Sequence, residues 1–334
     1  MMKYQGYDSF LATYDNGDYT NLQYLPGLRI EFIPRISGSF HRDALTWIRK
    51  NAKRIDVIMT LHMNRLAFSK FFIYKLFNPK GKIYLKSDGW PMPYHKSILM
   101  HPTSYILTKM CDCISTELQD KAEDMSRAWH RNIVHVPNPA NPNDIQSFRL
   151  FSERSNTILT VGRLGTRQKA TEILLEAFAQ IAAQIPGWTL KLAGYFSENM
   201  NIASDFYAAH PELKDRVIFT GEIRDRQTLI DMYRDAKIFA FPSRWESFGI
   251  ALTEAMMQGC FAVTTDIPAS RTLTENFRYA LGSPVDDIDG LSKNLFYACT
   301  HESEIESLAQ EGREATLKRC DLKHCCEVIA EGLK

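Results

Sequence analysis

Short apolar runs alternate along this chain with longer stretches in which apolar residues recur every three or four positions. The short runs read as buried strands and the longer periodic stretches as helices. In the first half, strands are expected at 10–13, 29–33, 56–61, 82–86, 111–115 and 133–136, with helices between them, for example at 41–54 and 117–129. In the second half they are expected at 157–161, 189–192, 217–219, 238–241 and 261–264. The helices between them fall at 169–184, 226–235 and 249–258, and the last sixty residues read as helix throughout. Strand and helix in alternation is the pattern of parallel sheets covered by helices. The turn-rich segment Asn138-Pro139-Ala140-Asn141-Pro142-Asn143-Asp144 reads as the start of a connection between two such domains.

A length of 334 residues suits two α/β domains, each of about 150 residues. With 45% hydrophobic and 24% charged residues the chain has the composition of a folded protein. No run approaches the ~18 apolar residues of a membrane span; Phe71-Phe72-Ile73-Tyr74 meets Lys75 at once. The first residues lack the apolar core of a secretion signal, and seven thinly spread cysteines read as reduced thiols. A soluble cytoplasmic protein is expected. The net charge of +1 conceals an asymmetry: residues 1–150 carry 20 Lys/Arg against 13 Asp/Glu, and residues 151–334 carry 20 against 26. Between Arg29 and Lys86, 13 basic residues face only Glu31, Asp43 and Asp56. Such a block suits an anionic partner or is a plain solvated face.

Tandem Rossmann-like domains can host a dehydrogenase, a transferase or a binding protein. A dinucleotide-binding enzyme should show Gly-x-Gly-x-x-Gly after its first strand, and Gly162-Arg163-Leu164-Gly165 lacks that spacing. The same loop, continuing to Lys169, places Gly162, Arg163 and Lys169 where a strand turns into a helix. Free backbone amides and two cations there suit a nucleoside diphosphate, and alone they also fit a surface loop. A second segment, Phe241-Pro242-Ser243-Arg244-Trp245-Glu246-Ser247-Phe248-Gly249-Ile250-Ala251-Leu252-Thr253-Glu254, ends a strand and enters a helix. Gly249 leaves the helix N-terminus open to phosphate, and Glu246 and Glu254 flank it as carboxylates suited to sugar hydroxyls.

Glu246 and Glu254 resemble the Glu-x7-Glu motif of the retaining glycosyltransferases of family 4. The resemblance runs in order through Pro137-Asn138, Gly162-Arg163-Leu164, Lys169, Leu192-Ala193-Gly194, Phe219-Thr220-Gly221, Pro242-Ser243 and the glutamate pair. It implies an α/β protein of GT-B fold, two facing Rossmann-like domains, with residues 1–145 on the acceptor side and 146–316 binding the donor. A last helix, 317–334, would cross back to the first domain. It implies that Arg163 and Lys169 hold the donor diphosphate, Glu254 the ribose and Glu246 the sugar. Ser247, Phe248, Gly249 and Ile250 would close around sugar and phosphates, with Gly194 and Ile223 beside the nucleobase. A nucleotide sugar, UDP- or GDP-linked, would be the donor, and no metal or further cofactor is expected. The acceptor would be a glycan or lipid-linked molecule in surface polysaccharide assembly; nothing suggests a nucleic-acid partner.

The first half departs from the pattern. The first strand of that domain and its glycine-rich loop have no counterpart here, which leaves a catalytically impaired nucleotide-sugar-binding subunit as the alternative. At Tyr84-Leu85-Lys86-Ser87-Asp88-Gly89 the family's histidine is replaced by Ser87, leaving Asp88 to reach an acceptor hydroxyl or to cap the next turn. Asp287-Ile288-Asp289 reads as a helix cap ahead of a helix from about Leu291, and Cys320, His324, Cys325 and Cys326 as ordinary thiols and a histidine. Finally, Arg42, Arg49, Lys50, Lys53 and Arg54 on one side of 41–54, and Arg65, Lys70 and Lys75 interleaved with Phe68, Phe71, Phe72 and Tyr74, suit an anionic membrane surface.

Overall fold

Strands β7 (Ser155–Val161), β8 (Thr189–Ala193), β9 (Val217–Gly221), β10 (Ala236–Phe241), β11 (Phe261–Thr265) and β12 (Ala280–Ser283) form one parallel sheet in the order β12-β11-β10-β7-β8-β9. Every residue of β10 and β11 is buried, as expected for central strands covered by helices on both faces. Helices α6 (Thr171–Ile181), α8 (Arg226–Asp235), α9 (Ile250–Met257), α11 (Ile288–Thr300) and α12 (Glu302–Arg319) supply the covering layers. The strand order reverses between β7 and β10, the place where ligands bind in such sheets, outside the carboxyl ends of the strands. In this computed structural model residues 2–17, 19, 27–61, 64–87, 102–145, 149–196 and 201–334 are described. They divide into two compact units: this sheet belongs to Ala140–Asp321, and Met1–Pro139 joins Leu322–Lys334 in the other.

Strand β12 corrects the reading of the last sixty residues as helix throughout. Ala280-Leu281-Gly282-Ser283 pairs in register with Ala262 to Thr265 at the sheet edge. Four residues, of which only Leu281 is large and apolar, are too few to show a period of two. The helix after it begins at Ile288 rather than near Leu291, and Asp287 caps it, accepting a hydrogen bond from the Gly290 amide at 2.9 Å.

The other unit has two parallel sheets instead of one. Strands β1 (Phe10–Thr13) and β2 (Arg29–Phe32) pair with each other, and β3 (Val57–Leu61), β4 (Lys82–Ser87), β5 (Cys113–Thr116) and β6 (Val134–His135) pair in sequence order. One further strand between β1 and β3 would complete the same doubly wound order as the second unit, and none stands there among the described residues. Helix α2 (Phe40–Asn51) joins the pieces: Trp47 meets Phe10 edge-on at 6.1 Å between ring centroids, and Ile48 lies in the core with Phe71, Tyr74, Ile83 and Leu85. Helix α3 (Arg65–Phe77) buries Tyr74, whose hydroxyl donates to the Ile55 carbonyl at 2.7 Å. Helices α4 (Pro102–Met110) and α5 (Gln119–Trp129) complete the cover, and α13 (Leu322–Gly332) packs on β5 and β6.

All seven cysteines are free and buried. Burial pushes the thiols of Cys111 and Cys260 up to about 12 and that of Cys113 up to about 11. Cys320, Cys325 and Cys326 are packed as apolar side chains.

Candidate active site

The loops that follow β7 and β10 flank the reversal of strand order, and the glycines there let backbone meet backbone. The Gly162 amide donates to the Ala193 carbonyl at 3.0 Å, and the Gly194 amide to the Gly221 carbonyl at 2.9 Å. Gly194 has φ +145°, and a Cβ on it would lie 1.7 Å from the Gly162 carbonyl oxygen. Only glycine fits, so the carboxyl ends of β7, β8 and β9 are drawn together.

Lys169 and Glu246 lie 77 residues apart in sequence and meet at 2.6 Å, Nζ donating to Oε1. Their side chains are 17% and 10% exposed, so the pair is shielded but reachable. The Ser243 hydroxyl donates to the same Oε1 at 2.8 Å, and the Lys169 ammonium sits 5.3 Å from the centroid of the Phe241 ring. Gly162, Lys169, Phe241 and Ser243 line a small cavity beside this pair. Arg163 is exposed, and its guanidinium donates to Gln168 Oε1 at 2.7 Å. Gln168 in turn ties the two loops, donating to the Trp245 carbonyl at 3.0 Å while its own carbonyl accepts from the Arg244 amide at 2.8 Å. Arg244 braces the arrangement from below, reaching Glu172 at 2.7 Å and Asp286 at 2.6 Å.

Gly249 caps α9 with φ +97°, and a Cβ there would press on Leu273 at 3.2 Å. The first amides of α9 have no carbonyl partner within the helix and so present donors and a partial positive charge. Phe248 is buried beneath this turn, Ser247 is half-buried, and Ile250 is exposed. Glu254, the fifth residue of α9, is held at both oxygens. Arg226 pairs with Oε1 at 2.6 Å, and the Tyr233 hydroxyl donates to Oε2 at 3.1 Å. Arg226 also reaches Asp144 at 2.7 Å. Burial opposes the guanidinium charge, yet Asp144 and Glu254 outweigh it and raise the Arg226 pKa. Burial first, and then Glu254, keep the Tyr233 phenol protonated well above its ordinary range.

Gly162, Lys169, Gly194 and Glu246 thus converge on one end of one sheet, with Arg163 beside them through Gln168. Ile223 is half-buried two residues past β9. Asp88 lies outside the described residues. Lys86, two positions earlier in the sequence, donates to Asn138 Oδ1 at 2.5 Å, and the Asn138 amide donates to Glu117 Oε1 at 2.8 Å. Burial lowers the Lys86 pKa, against the pull of Glu117. Neither Arg226 nor Tyr233 is singled out by the sequence, and Ser243 enters there only within Pro242-Ser243, with no role of its own. Their only signal was that each follows, or lies within, an element leading to the strand ends.

Chemically, this end of the sheet offers two cations, helix amides and two restrained carboxylates around an apolar floor, a set able to bind a diphosphate and hydroxyls together. Among curated relatives, the chain is 27% identical over 184 residues to a phosphatidyl-myo-inositol mannosyltransferase of Mycolicibacterium smegmatis, covering 52% of this chain and 45% of that protein. It is 29% identical over 169 residues to the mannosylfructose-phosphate synthase of Agrobacterium fabrum, covering 48% and 37%. The chain therefore spans less than half the length of these relatives. Of solved structures, a glycosyltransferase from Rickettsia africae superposes with a TM-score of 0.77 at 14% identity, covering 100% of this chain and 92% of that one. Anabaena HepE, crystallised with UDP and glucose, superposes with 0.71 at 17% identity, covering 97% and 91%. These likenesses show the GT-B fold. The family described as "Glycosyl transferases group 1" matches residues 143–315, just over half of the 334 residues. The chain belongs to the group 1 glycosyl transferases and has the GT-B fold.

Proposed function

We propose that the chain transfers a hexose-type sugar, with retention of configuration, from a UDP- or GDP-linked donor to a glycan or lipid-linked acceptor in surface polysaccharide synthesis at the cytoplasmic side of the membrane. The observation that carries the reading is the pairing of Lys169 with Glu246 at the reversal of strand order. A cation for the leaving phosphate and a carboxylate for the sugar are there held within one hydrogen bond. Breaking the sugar–phosphate bond builds negative charge on the diphosphate and positive charge on the ring. Lys169, Arg163 and the α9 amides would stabilise the first, and cations fixed beforehand do so without reorganisation. Glu246 would orient the sugar, and Glu254, already fixed by Arg226 and Tyr233, would accept from ribose. Ser247, Phe248, Gly249 and Ile250 would shape the phosphate and sugar site, with Gly194 and Ile223 at the base. With retention, the leaving phosphate itself can take the acceptor proton on the same face; Asp88 is the candidate to steer that hydroxyl. The reading calls for no metal, since the protein supplies the cations.

The names of the relatives support a hexose and a lipid or glycan acceptor. Among them are a phosphatidyl-myo-inositol mannosyltransferase and a lipopolysaccharide core biosynthesis mannosyltransferase of Rhizobium meliloti. The test is nucleotide release from a panel of UDP- and GDP-sugars with and without acceptor glycans and lipids. Release that rises with one acceptor establishes the reaction. Donor binding with no turnover on any acceptor favours an impaired nucleotide-sugar-binding subunit instead.

A further inference from the structure

Helix α8 presents two donors to one carboxylate of α9. Arg226 is its first residue, and Tyr233 lies seven positions on, along the same face. The Arg226 guanidinium pairs through Nη2 with Glu254 Oε1 at 2.6 Å, and the Tyr233 hydroxyl donates to Oε2 at 3.1 Å. Tyr233 is fully buried, so its hydroxyl keeps one position as long as the core is closed. Arg226 is held less firmly by packing: its side chain is 27% exposed and hangs from the first turn of the helix. A long arginine side chain in that place has many rotamers open to it, and gripping Oε1 requires that one of them be selected.

The residue that selects it is Asp144, 82 positions earlier in the chain. Its Oδ2 accepts from Nη2 at 2.7 Å and from Nε at 3.2 Å, which grips the guanidinium along one edge. Asp144 is fixed in turn: its carbonyl accepts from the Gln258 side-chain amide at 2.8 Å, and its own amide donates to the Asn141 carbonyl at 3.0 Å. Gln258 is buried and caps the carboxyl end of α9, the helix that carries Glu254. The contacts close a circuit from Glu254 through Arg226, Asp144 and Gln258 back to α9. Ion pairs this shielded gain little against the loss of water, so stability alone is a poor reason for them. Charge and direction supply a better one. With Arg226 alone, Glu254 would form a neutral pair. With Asp144 sharing the same Nη2, the group keeps a net negative charge, and Glu254 remains a strong acceptor. A carboxylate accepts about four hydrogen bonds. Arg226 and Tyr233 take one on each oxygen, and each oxygen keeps a free side. Two such sides match two adjacent hydroxyls.

We propose that Asp144 is a positioning residue for ribose: it sets the Arg226 guanidinium, Arg226 sets the Glu254 carboxylate, and the preference for a ribonucleotide depends on that sequence of contacts. With 11% of its side chain exposed and its Oδ2 engaged by Arg226, Asp144 acts through the guanidinium and does not meet the nucleotide itself. The inference rests on the reading that Glu254 accepts from the ribose of the donor, and it is independent of which sugar or acceptor is used.

The experiment is titration calorimetry of the full chain with UDP and GDP and with their 2′,3′-dideoxy counterparts. For the base that binds, the wild type is expected to prefer the ribonucleotide roughly 10- to 100-fold, the worth of hydrogen bonds to a charged acceptor. Asp144→Ala should weaken the ribonucleotide roughly 5- to 30-fold and leave the dideoxynucleotide within about twofold, so that the preference shrinks. A merely structural role would lower both alike. Asp144→Asn keeps the shape and loses the charge; it should fall between, and it serves if the alanine variant does not fold. Added to Glu254→Gln, Asp144→Ala should remove almost no further preference, because both act on one carboxylate. A wild type that binds neither nucleotide, or binds one without regard to its ribose hydroxyls, overturns the reading of Glu254 and this inference with it. A wild-type preference that survives intact in both Asp144 variants overturns this inference alone, and so do losses that add in full in the double variant.

Discussion

The two units are built from the same parallel α/β layers and end up with different surfaces. The unit of residues 140–321 closes a six-stranded sheet, two of whose interior strands, β10 and β11, are wholly buried, while the described strands of the other stand in pieces of two and four. Of the 17 large apolar residues exposed among the described residues, 11 belong to the smaller, split unit. The sheet that carries the charged cluster is thus the continuous one. Lys169 and Glu246 sit on the short loops between buried strands and the helices that follow, and Glu254 on α9, and positions tied down by their hydrogen bonds keep charges in place. The split unit carries apolar and basic surface instead. One layer pattern holds a charged cluster in one case and leaves apolar and basic surface in the other.

The sharpest way to break this contrast is one substitution made twice. Phe239→Ala, in the middle of β10 with no exposure, should destabilise its unit by about 3–5 kcal/mol. Phe72→Ala, on the exposed face of α3, should change stability by no more than ~0.5 kcal/mol. Thermal and urea unfolding of the full chain measure both, and similar losses would mean that α3 is covered in solution.

Next in size come the cations of the continuous sheet. Lys169→Ala and Arg163→Ala should each lower kcat/KM for the donor roughly 10- to 150-fold, the loss of one charge-assisted contact of ~1.5–3 kcal/mol. Near-normal kcat/KM in both would remove the diphosphate from this loop. A smaller and more discriminating effect is expected at the carboxylates. Glu254→Gln should weaken binding of the free nucleoside diphosphate by ~1–2 kcal/mol. Arg226→Met should follow it in the same direction, since that guanidinium holds Oε1. Glu246→Gln should leave nucleotide binding intact and slow transfer. Titration calorimetry separates the two, and equal losses at Glu246 and Glu254 would contradict the division of roles.

The smallest effect belongs to the split unit. The Tyr14 hydroxyl, followed by the Ser37 and Ile36 contacts, outweighs burial and lowers the Asp43 carboxyl to about 2. An unfolded aspartate titrates near 3.9. The folded pKa is the lower one, so the unfolded chain binds more protons between these values and stability rises with pH there. The contribution of Asp43 is therefore complete above about pH 4 and lost as pH falls toward 2. Asp43→Asn should flatten the acid limb of a stability profile between those values, and an unchanged limb would place the carboxylate outside the fold's acid response.

What the sequence made legible was local. Strands of β-branched and aromatic residues, the loop from Gly162 to Lys169 and the segment from Phe241 to Glu254 could each be read where they stood. That Lys169 touches Glu246 could not, because 77 residues and three strands separate them and only the closed sheet brings them to 2.6 Å. The Asp144–Arg226–Glu254 chain is harder still, since no residue of it sits in a motif with another. Strand β12 carries too little apolar character to announce itself. In α3, Phe71 and Phe72 are equally apolar, and only the neighbours packed on one of them decide which is core.

The buried thiols turn the contrast between the units into something that can be timed. Cys111, Cys113, Cys325 and Cys326 lie in one unit and Cys260, Cys299 and Cys320 in the other, all shielded from solvent. A thiolate must form and be reached before an alkylating reagent can label it, and burial denies both. Labelling in native buffer therefore counts openings of the fold. Pulsed with reagent and mapped by peptide, the same molecule reports two clocks, one for each unit. If the split sheet is the looser one, its four cysteines will be modified first.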